Sequence, residues 1–288
     1  MSEASVTQQE YYKRINHVLV YIHTHLDENL ELEKLAAISN FSPFHFHRIF
    51  RANVKESIGS YIARIRVETA AALILHTKEP VFEIALKVGY DIPSSFNKAF
   101  HRRFGCPPTE YRNSYNINHS LNPFKMENVK NLKEFKPEIK VQKPLKVIFV
   151  RSVGDYNSKG TGEAWKKVCD FAAKNKLFGW KTEFIGISHD DPQITETEKL
   201  RYDACLTVSQ DVRPEGEVGI KEIEGGRYAV FLHKGPYNTL HEAYDQIYGH
   251  WLPESKCELR NVPCFEKYLN DPDKVKPEKL KTEIYIPI

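Results

Sequence analysis

Up to about Asn113, apolar residues recur at helical spacing, as in Leu30, Leu32, Leu35 and Ala36, with short polar breaks and almost no alternation. That pattern predicts an all-α half. From Glu138 onward, short β-type runs such as LKVIFV and YAVFLH alternate with helical stretches such as EAWKKVCDFAAKN, which predicts an α+β half. The polar, lysine-bearing stretch NHSLNPFKMENVKNLKEFK between them reads as a linker. The expected organisation is a helical domain over 1–115, a linker over 116–134 and an α+β domain over 135–288.

Each half is internally doubled. In the first, Phe46, Phe50, Val54 and Tyr61 recur as Phe96, Phe100, Phe104 and Tyr111, each 50 residues later. Each copy opens with a short helix (LEKLAAIS, then VFEIALKV), breaks at Asn40 or Gly89, and continues into a second helix. Both break residues tolerate left-handed backbone. Ala36 and Ala85 are small where two helices must cross closely, and the Phe pairs at i,i+4 supply a buried face. The result is a duplicated helix-turn-helix, its two motifs joined by the helical run SIGSYIARIRVETAAALILHTK. At about 1.5 Å per residue that run spans roughly 30 Å, near the ~34 Å repeat of duplex DNA, so it suits two readers in successive major grooves.

Composition narrows the class. The 288 residues are 41% hydrophobic and 27% charged with a formal net charge of +3, enough for two globular cores. No run of about 18 apolar residues occurs and the polar N-terminus has no signal-peptide pattern. A cytoplasmic, nucleoid-associated protein with no membrane partner is expected. The cysteines, Cys106, Cys169, Cys205, Cys257 and Cys264, are odd in number and form no CxxC pair, so neither metal nor cofactor is expected. Charge matters locally: Arg48, Arg51 and Lys55 share residues 42–55 with no acid, as do Lys98, Arg102 and Arg103 in 93–105.

In a helix-turn-helix the second helix enters the major groove, and the residues offset from its buried face read bases or grip phosphates. In the first copy these are Phe44, His45, His47, Arg48 and Arg51; in the second they are Ser94, Ser95, Asn97, Lys98 and Arg102. Arg48 suits guanine O6 and N7, Asn97 suits adenine and Phe44 suits a thymine methyl. The second helix has fewer long reading groups and is expected to supply more phosphate grip. A single basic helix is as often the solvated face of a bundle. Two copies favour promoter DNA as the partner.

The second half repeats with a shift of about 80: VGDY around Gly154 recurs as KGPY around Gly235, FIGISHDDP as CFEKYLNDP, and LRYDACLTV as LKTEIYIPI. Two β-helix-β-β units around a central cleft are expected. The copies differ where the first has Gly186 and Ser188 and the second has Glu266 and Tyr268. Along an alternating strand Glu266 and Tyr268 point the same way, as do Glu283 and Tyr285. With Tyr156, Trp165, Tyr237 and Trp251 nearby, a carboxylate among aromatic faces suits a lipophilic, cationic small molecule. Exposed strand carboxylates over an ordinary aromatic core are the plainer alternative. Glu266 is preferred over Glu283 as the anchor because its repeat partner is glycine, whereas that of Glu283 is Asp203.

The layout over residues 11–115, closed by VGYDIPSSFNKAFHRRFGCPPTEYR, resembles the AraC/XylS family of bacterial transcription regulators. Asn40 stands where that family usually has glycine. The resemblance implies DNA binding as a monomer or within a dimer, contact with RNA polymerase, and activation of transport or detoxification genes. The C-terminal half resembles the GyrI-like effector-binding domain of multidrug-responsive regulators through GGRYAVFLHKGPYNTLHEAYDQIYGHWLPES, PCFEKYLNDP and TEIYIPI. That resemblance implies a buried glutamate in an aromatic cage, and both Glu266 and Glu283 fall in matching motifs.

Two rival classes remain. Some GyrI-like domains resemble hydrolases, and a Glu beside a Tyr in a dry pocket has the form of a general base. Against this, the sequence has no nucleophile with a positioned base, no phosphate loop and no HExxH, and His45 and His47 at i,i+2 do not share a helix face. The other rival is a protein-inhibitory module, which the attached DNA reader disfavours. The expectation is a regulator and not an enzyme.

Overall fold

Caps in the sequence set the helix limits of the N-terminal part. In this computed structural model, which describes residues 6–120, 136–192, 194–260 and 262–288, the helices are α1 (Val6–Thr24), α2 (Leu32–Ile38), α3 (Pro43–Val54), α4 (Ile58–His76), α5 (Val81–Lys87), α6 (Pro93–Phe104) and α7 (Pro108–Ser120). Ser42 accepts a hydrogen bond from the His45 backbone N–H, and Pro43 takes the first helical position, where no N–H is needed. Ser57 caps α4 through the Ser60 backbone N–H. At the other ends, Lys55 and Gly105 turn left-handed at φ 68° and 74°, again 50 residues apart.

The duplication is written into the backbone as well as the side chains. Asn40 and Gly89, the two turn residues, have φ 52° and 82°. Gly89 is required twice over: its φ is left-handed, and an added Cβ would run into the Leu26 carbonyl and the Arg66 guanidinium. Ala36, Ala85, Phe46, Phe50, Phe96 and Phe100 are all fully buried. Phe50 meets Tyr61 edge-on at 5.6 Å, and Phe100 meets Tyr111 at 5.4 Å in the same way. Helix α4 packs on both motifs, and its Glu68 binds Arg64 within the helix and Arg103 on α6, both at 3.0 Å. Helix α7 continues to Ser120, past the linker start expected at 116, while residues 121–134 of that linker lie outside the described residues.

The chain divides into two compact units, Met1–Ile117 with Arg213–Gly219, and Asn118–Val212 with Ile220–Ile288. The second is built on one eight-stranded sheet. Its elements are β1 (Glu138–Gln142), β2 (Leu145–Val153), α8 (Lys159–Lys174), β3 (Phe184–Ser188), β4 (Arg201–Thr207), β5 (Gly219–Ile223), β6 (Gly226–Lys234), α9 (Leu240–Gln246), a π-helical turn (Ile247–Trp251), α10 (Leu252–Ser255), β7 (Phe265–Tyr268) and β8 (Lys281–Pro287). The expected β-helix-β-β units are β2-α8-β3-β4 and β6-α9-β7-β8.

Each unit also has a leading strand that the repeat did not reveal, and the two are exchanged. The sheet order β1-β6-β8-β7-β3-β4-β2-β5 places β1 beside the second copy and β5 beside the first. The order reads the same from either end, with a pseudo-twofold axis between β7 and β3. Helices α8 and α9 cover the same face. Trp165 of α8 reaches Tyr202 and Tyr268 there, and α9 packs on Ala229, Phe231, Ile284 and Ile286. Among the described residues, no helix is long and apolar enough to cross a membrane.

Candidate DNA-reading helices and effector site

On α3, successive residues advance by about 100°, so Phe46 and Phe50 share one side, and residues 44, 48 and 51 lie opposite. Accordingly His45, Arg48 and Arg51 are exposed and His47, on the flank, is half-buried. Phe44 belongs to the helix backbone, but its side chain lies outside the described residues. On α6, Ser94, Ser95, Asn97, Lys98 and Arg102 are all exposed around the buried Phe96 and Phe100. The 50-residue shift equates Arg48 with Lys98 and Arg51 with His101. His101, also exposed, was missed by sequence reasoning although the repeat already pointed to it, and both it and Arg102 lie well away from the Phe pair. Arg103 turns inward to Glu68.

Register separates the residues of the expected effector site. Glu266 pairs with Ile284 on one side and Gly186 on the other, whereas Glu283 pairs with Lys267. Side chains of register partners share a face, so Glu266 and Glu283 lie on opposite faces of the sheet. Glu266 is on the helix-covered face with Tyr268, Tyr202, Trp165 and Tyr237. Glu283 and Tyr285 are on the other, bonded to each other at 2.9 Å, and Lys140 neutralises Glu283 at 3.0 Å. The single group expected from sequence is therefore two, and Glu283 and Tyr285 do not join the Glu266 cluster. The adjacency of β7 and β8 did not fix their relative register.

Around Glu266 the polar groups form a directed chain. The Trp165 indole N–H can only donate, and donates to the Tyr202 hydroxyl at 3.2 Å. The Tyr268 hydroxyl donates to one Glu266 oxygen at 2.5 Å, so the 2.9 Å Tyr202–Tyr268 bond runs with Tyr202 as donor. The Tyr244 hydroxyl donates to the other oxygen at 3.0 Å. Neither Tyr202 nor Tyr244 was among the site residues expected from sequence. Tyr237 packs on Tyr268 at 5.1 Å and its repeat mate Tyr156 on Tyr202 at 6.1 Å, with the Tyr156 hydroxyl held by the Asp190 backbone. Trp251 instead packs edge-on against Phe231 at 5.0 Å, in the core under the second helix.

Glu266 is only 5% exposed, and among the described residues it has no cationic partner. Burial drives its pKa above the ordinary 4.5, while the Tyr268 and Tyr244 hydrogen bonds pull the other way. The net shift is upward. Carboxylates elsewhere in this unit show the contrast: Asp203, fully buried, is gripped by Arg151 at 2.6 and 2.8 Å, by Lys221 at 2.5 Å and by His189 at 2.7 Å, and stays well below the usual range.

Comparison with known proteins places both halves. Residues 135–288 match the GyrI-like small molecule binding domain and residues 35–114 match a helix-turn-helix domain. The chain is 32% identical over 126 residues to the probable transcriptional regulator YgiV of Escherichia coli, covering 43% of this chain and 75% of that protein. It is 32% identical over 100 residues to the regulatory protein SoxS of Escherichia coli, covering 35% of this chain and 94% of SoxS. Similarity to the transcriptional regulator Rob of Salmonella typhimurium, 24% over 298 residues, extends over 95% of this chain and 97% of Rob. All three relatives are named as regulators. The chain belongs to the AraC/XylS family of DNA-binding transcription regulators, in the form that carries a C-terminal GyrI-like small-molecule binding domain.

Proposed function

We propose that this regulator is an activator whose C-terminal domain senses an amphipathic organic cation at Glu266 and alters how α3 and α6 engage promoter DNA and RNA polymerase. One observation carries the sensor reading: a buried carboxylate, bonded to two tyrosine hydroxyls and walled by Tyr237, Tyr268 and Trp165, has no counter-ion among the described residues. Burying an unpaired charge is costly, and a ligand cation supplies the missing partner together with cation-π contact. A neutral ligand of the same shape supplies neither.

DNA reading is assigned to the outward residues of the two second helices. Arg48 and Arg51 of α3 carry most base choice, Asn97 of α6 reads adenine, and Lys98 with Ser94, Ser95 and Arg102 of α6 carries phosphate grip. Ligand binding shifts the output only through differential affinity for two states, typically about 1–3 kcal/mol.

The test is calorimetric titration of the full chain with a lipophilic cation and with its uncharged isostere, for the native protein and Glu266→Gln, alongside in vitro transcription from a bound promoter. Cation-selective binding lost in Glu266→Gln, with transcription rising on ligand addition, is the expected result. Equal binding of both compounds removes Glu266 as the anchor, and a fall in transcription reverses the assignment as activator.

A further inference from the structure

Beyond the Glu266 cluster an aromatic series continues to the surface. Trp165, edge-on to Tyr268 at 5.7 Å, lies nearly parallel to Phe184 at 6.0 Å and 30°. Phe184 in turn lies nearly parallel to Phe178 at 6.3 Å and 23°. Exposure grows outward: Phe184 is 37% exposed and Phe178 45%.

Local structure holds this arrangement. Phe184 is the register partner of Tyr268, so it shares the sheet face of Glu266. After α8 the chain reverses at Lys176, whose φ is 53°. A turn closed by Gly179 N–H to Thr182 Oγ1 at 2.8 Å, and by Thr182 N–H to Gly179 O at 3.0 Å, then returns the chain to β3. That return brings Phe178 over Phe184. The Trp165 ring is fixed in turn by its hydrogen bond to Tyr202. Trp180, at the turn, is 91% exposed and stands outside the series, with Lys181 Nζ 4.6 Å from its ring centre.

We propose that Phe184 and Phe178 form an outer stacking subsite for a flat, multi-ring aryl group, borne by the same ligand whose cationic end sits at Glu266. This rests on the cation reading above and specifies the class of ligand: an elongated aryl cation with its charge and its flat ring system at opposite ends. Exposed aromatic surface continuous with a buried carboxylate favours covering by a planar ring, and the near-parallel Trp165, Phe184 and Phe178 set its plane.

The test measures affinity of the full chain for quinacrine, a flat tricycle on a flexible aliphatic amine, and for benzyltrimethylammonium, which is too short to reach Phe184. Phe178→Ala and the double variant Phe178→Ala/Phe184→Leu are expected to weaken quinacrine, the double by about tenfold, and to leave benzyltrimethylammonium within about twofold. Trp180→Ala is expected to change neither. Unchanged quinacrine affinity in the double variant overturns the outer subsite while the anchor stands. Equal loss of both compounds also overturns it, because the rings would then only support the fold. Failure of the native protein to bind either compound overturns the cation reading and this subsite together.

Discussion

Gly186 and Glu266 face each other across β3 and β7, the central strand pair of the sheet, and occupy equivalent positions in its two copies. Two glutamates there would place like charges side by side in a buried setting. Glycine instead leaves the space into which the Tyr202 and Tyr268 hydroxyls fit, since an added Cβ would collide with both. The asymmetry that singles out Glu266 in the sequence thus has a steric cause as well as an electrostatic one.

Gly186→Ala is therefore expected to destabilise the C-terminal unit by about 1–3 kcal/mol, because the tyrosine pair must shift. Gly162, inside α8 with nothing near its missing Cβ, gives the opposite sign. Gly162→Ala is expected to add about 0.5–1 kcal/mol. Urea unfolding of both variants measures the contrast.

Cation affinity should depend on pH through Glu266. Because its pKa in the folded protein lies above the ordinary 4.5, the neutral form persists to higher pH than in the unfolded chain. Its contribution to stability is full below 4.5 and is lost as pH rises through the raised value. A bound cation favours the ionised form, so affinity should climb with pH until Glu266 is fully ionised and then level off. Titration of Glu266→Gln across the same range should give a flat profile, and an unchanged slope would assign the dependence to another group.

His189 predicts the reverse trend in stability. Burial is the largest cause of its depression from 6.5 to about 4, with the Arg151 and Lys221 charges acting the same way and Asp203 opposing them. A depressed folded pKa means that stability is present above 6.5 and is lost as pH falls through about 4. Thermal melts of His189→Asn should lack this decline between those values. Asp203 adds a further loss only at lower pH, below 3.8.

Arg48→Ala is expected to relax preference at one base position, costing about 1–3 kcal/mol against the cognate base. Lys98→Ala should weaken all sequences alike and flatten the salt dependence, and His101→Ala should also weaken all sequences alike. A randomised-site selection separates the two behaviours, and uniform weakening by Arg48→Ala would make it a phosphate contact. Engagement of both motifs should protect about two helical turns of DNA per protomer. Protection of one turn would mean that a single motif docks.

Local signals made the helical half legible. Phe46 with Phe50, Ala36, Asn40 and their mates 50 residues on encode packing and turn geometry within short stretches, and α4 spans 19 residues from Ile58 to His76, close to its sequence-predicted run. The sheet was less legible because its decisive relations are distant in sequence. EIKVQ and GIKEI are five-residue, half-polar strands, and nothing local says that each pairs with the other copy. Glu266 and Tyr268 were readable as sharing a face by alternation along one strand. That Glu283 and Tyr285 lie on the opposite face depends on the register of β7 against β8. Tyr202, whose repeat mate is Thr282, marked a further difference between copies that points to the same cluster.

The exchanged strands β1 and β5 carry a consequence for how such a site can arise. Lys140 of β1 reaches Glu283 in the second copy at 3.0 Å, and Lys221 of β5 reaches Asp203 in the first at 2.5 Å, so each copy lends its companion a strand and a charge. Two separate identical chains joined in this manner would form a swapped homodimer. Symmetry would then force the same residue onto both sides of the central pair, glycine twice or glutamate twice. Joining the copies in one polypeptide lifts that constraint, and lets the chain set a lone carboxylate opposite the space that its neighbour vacates.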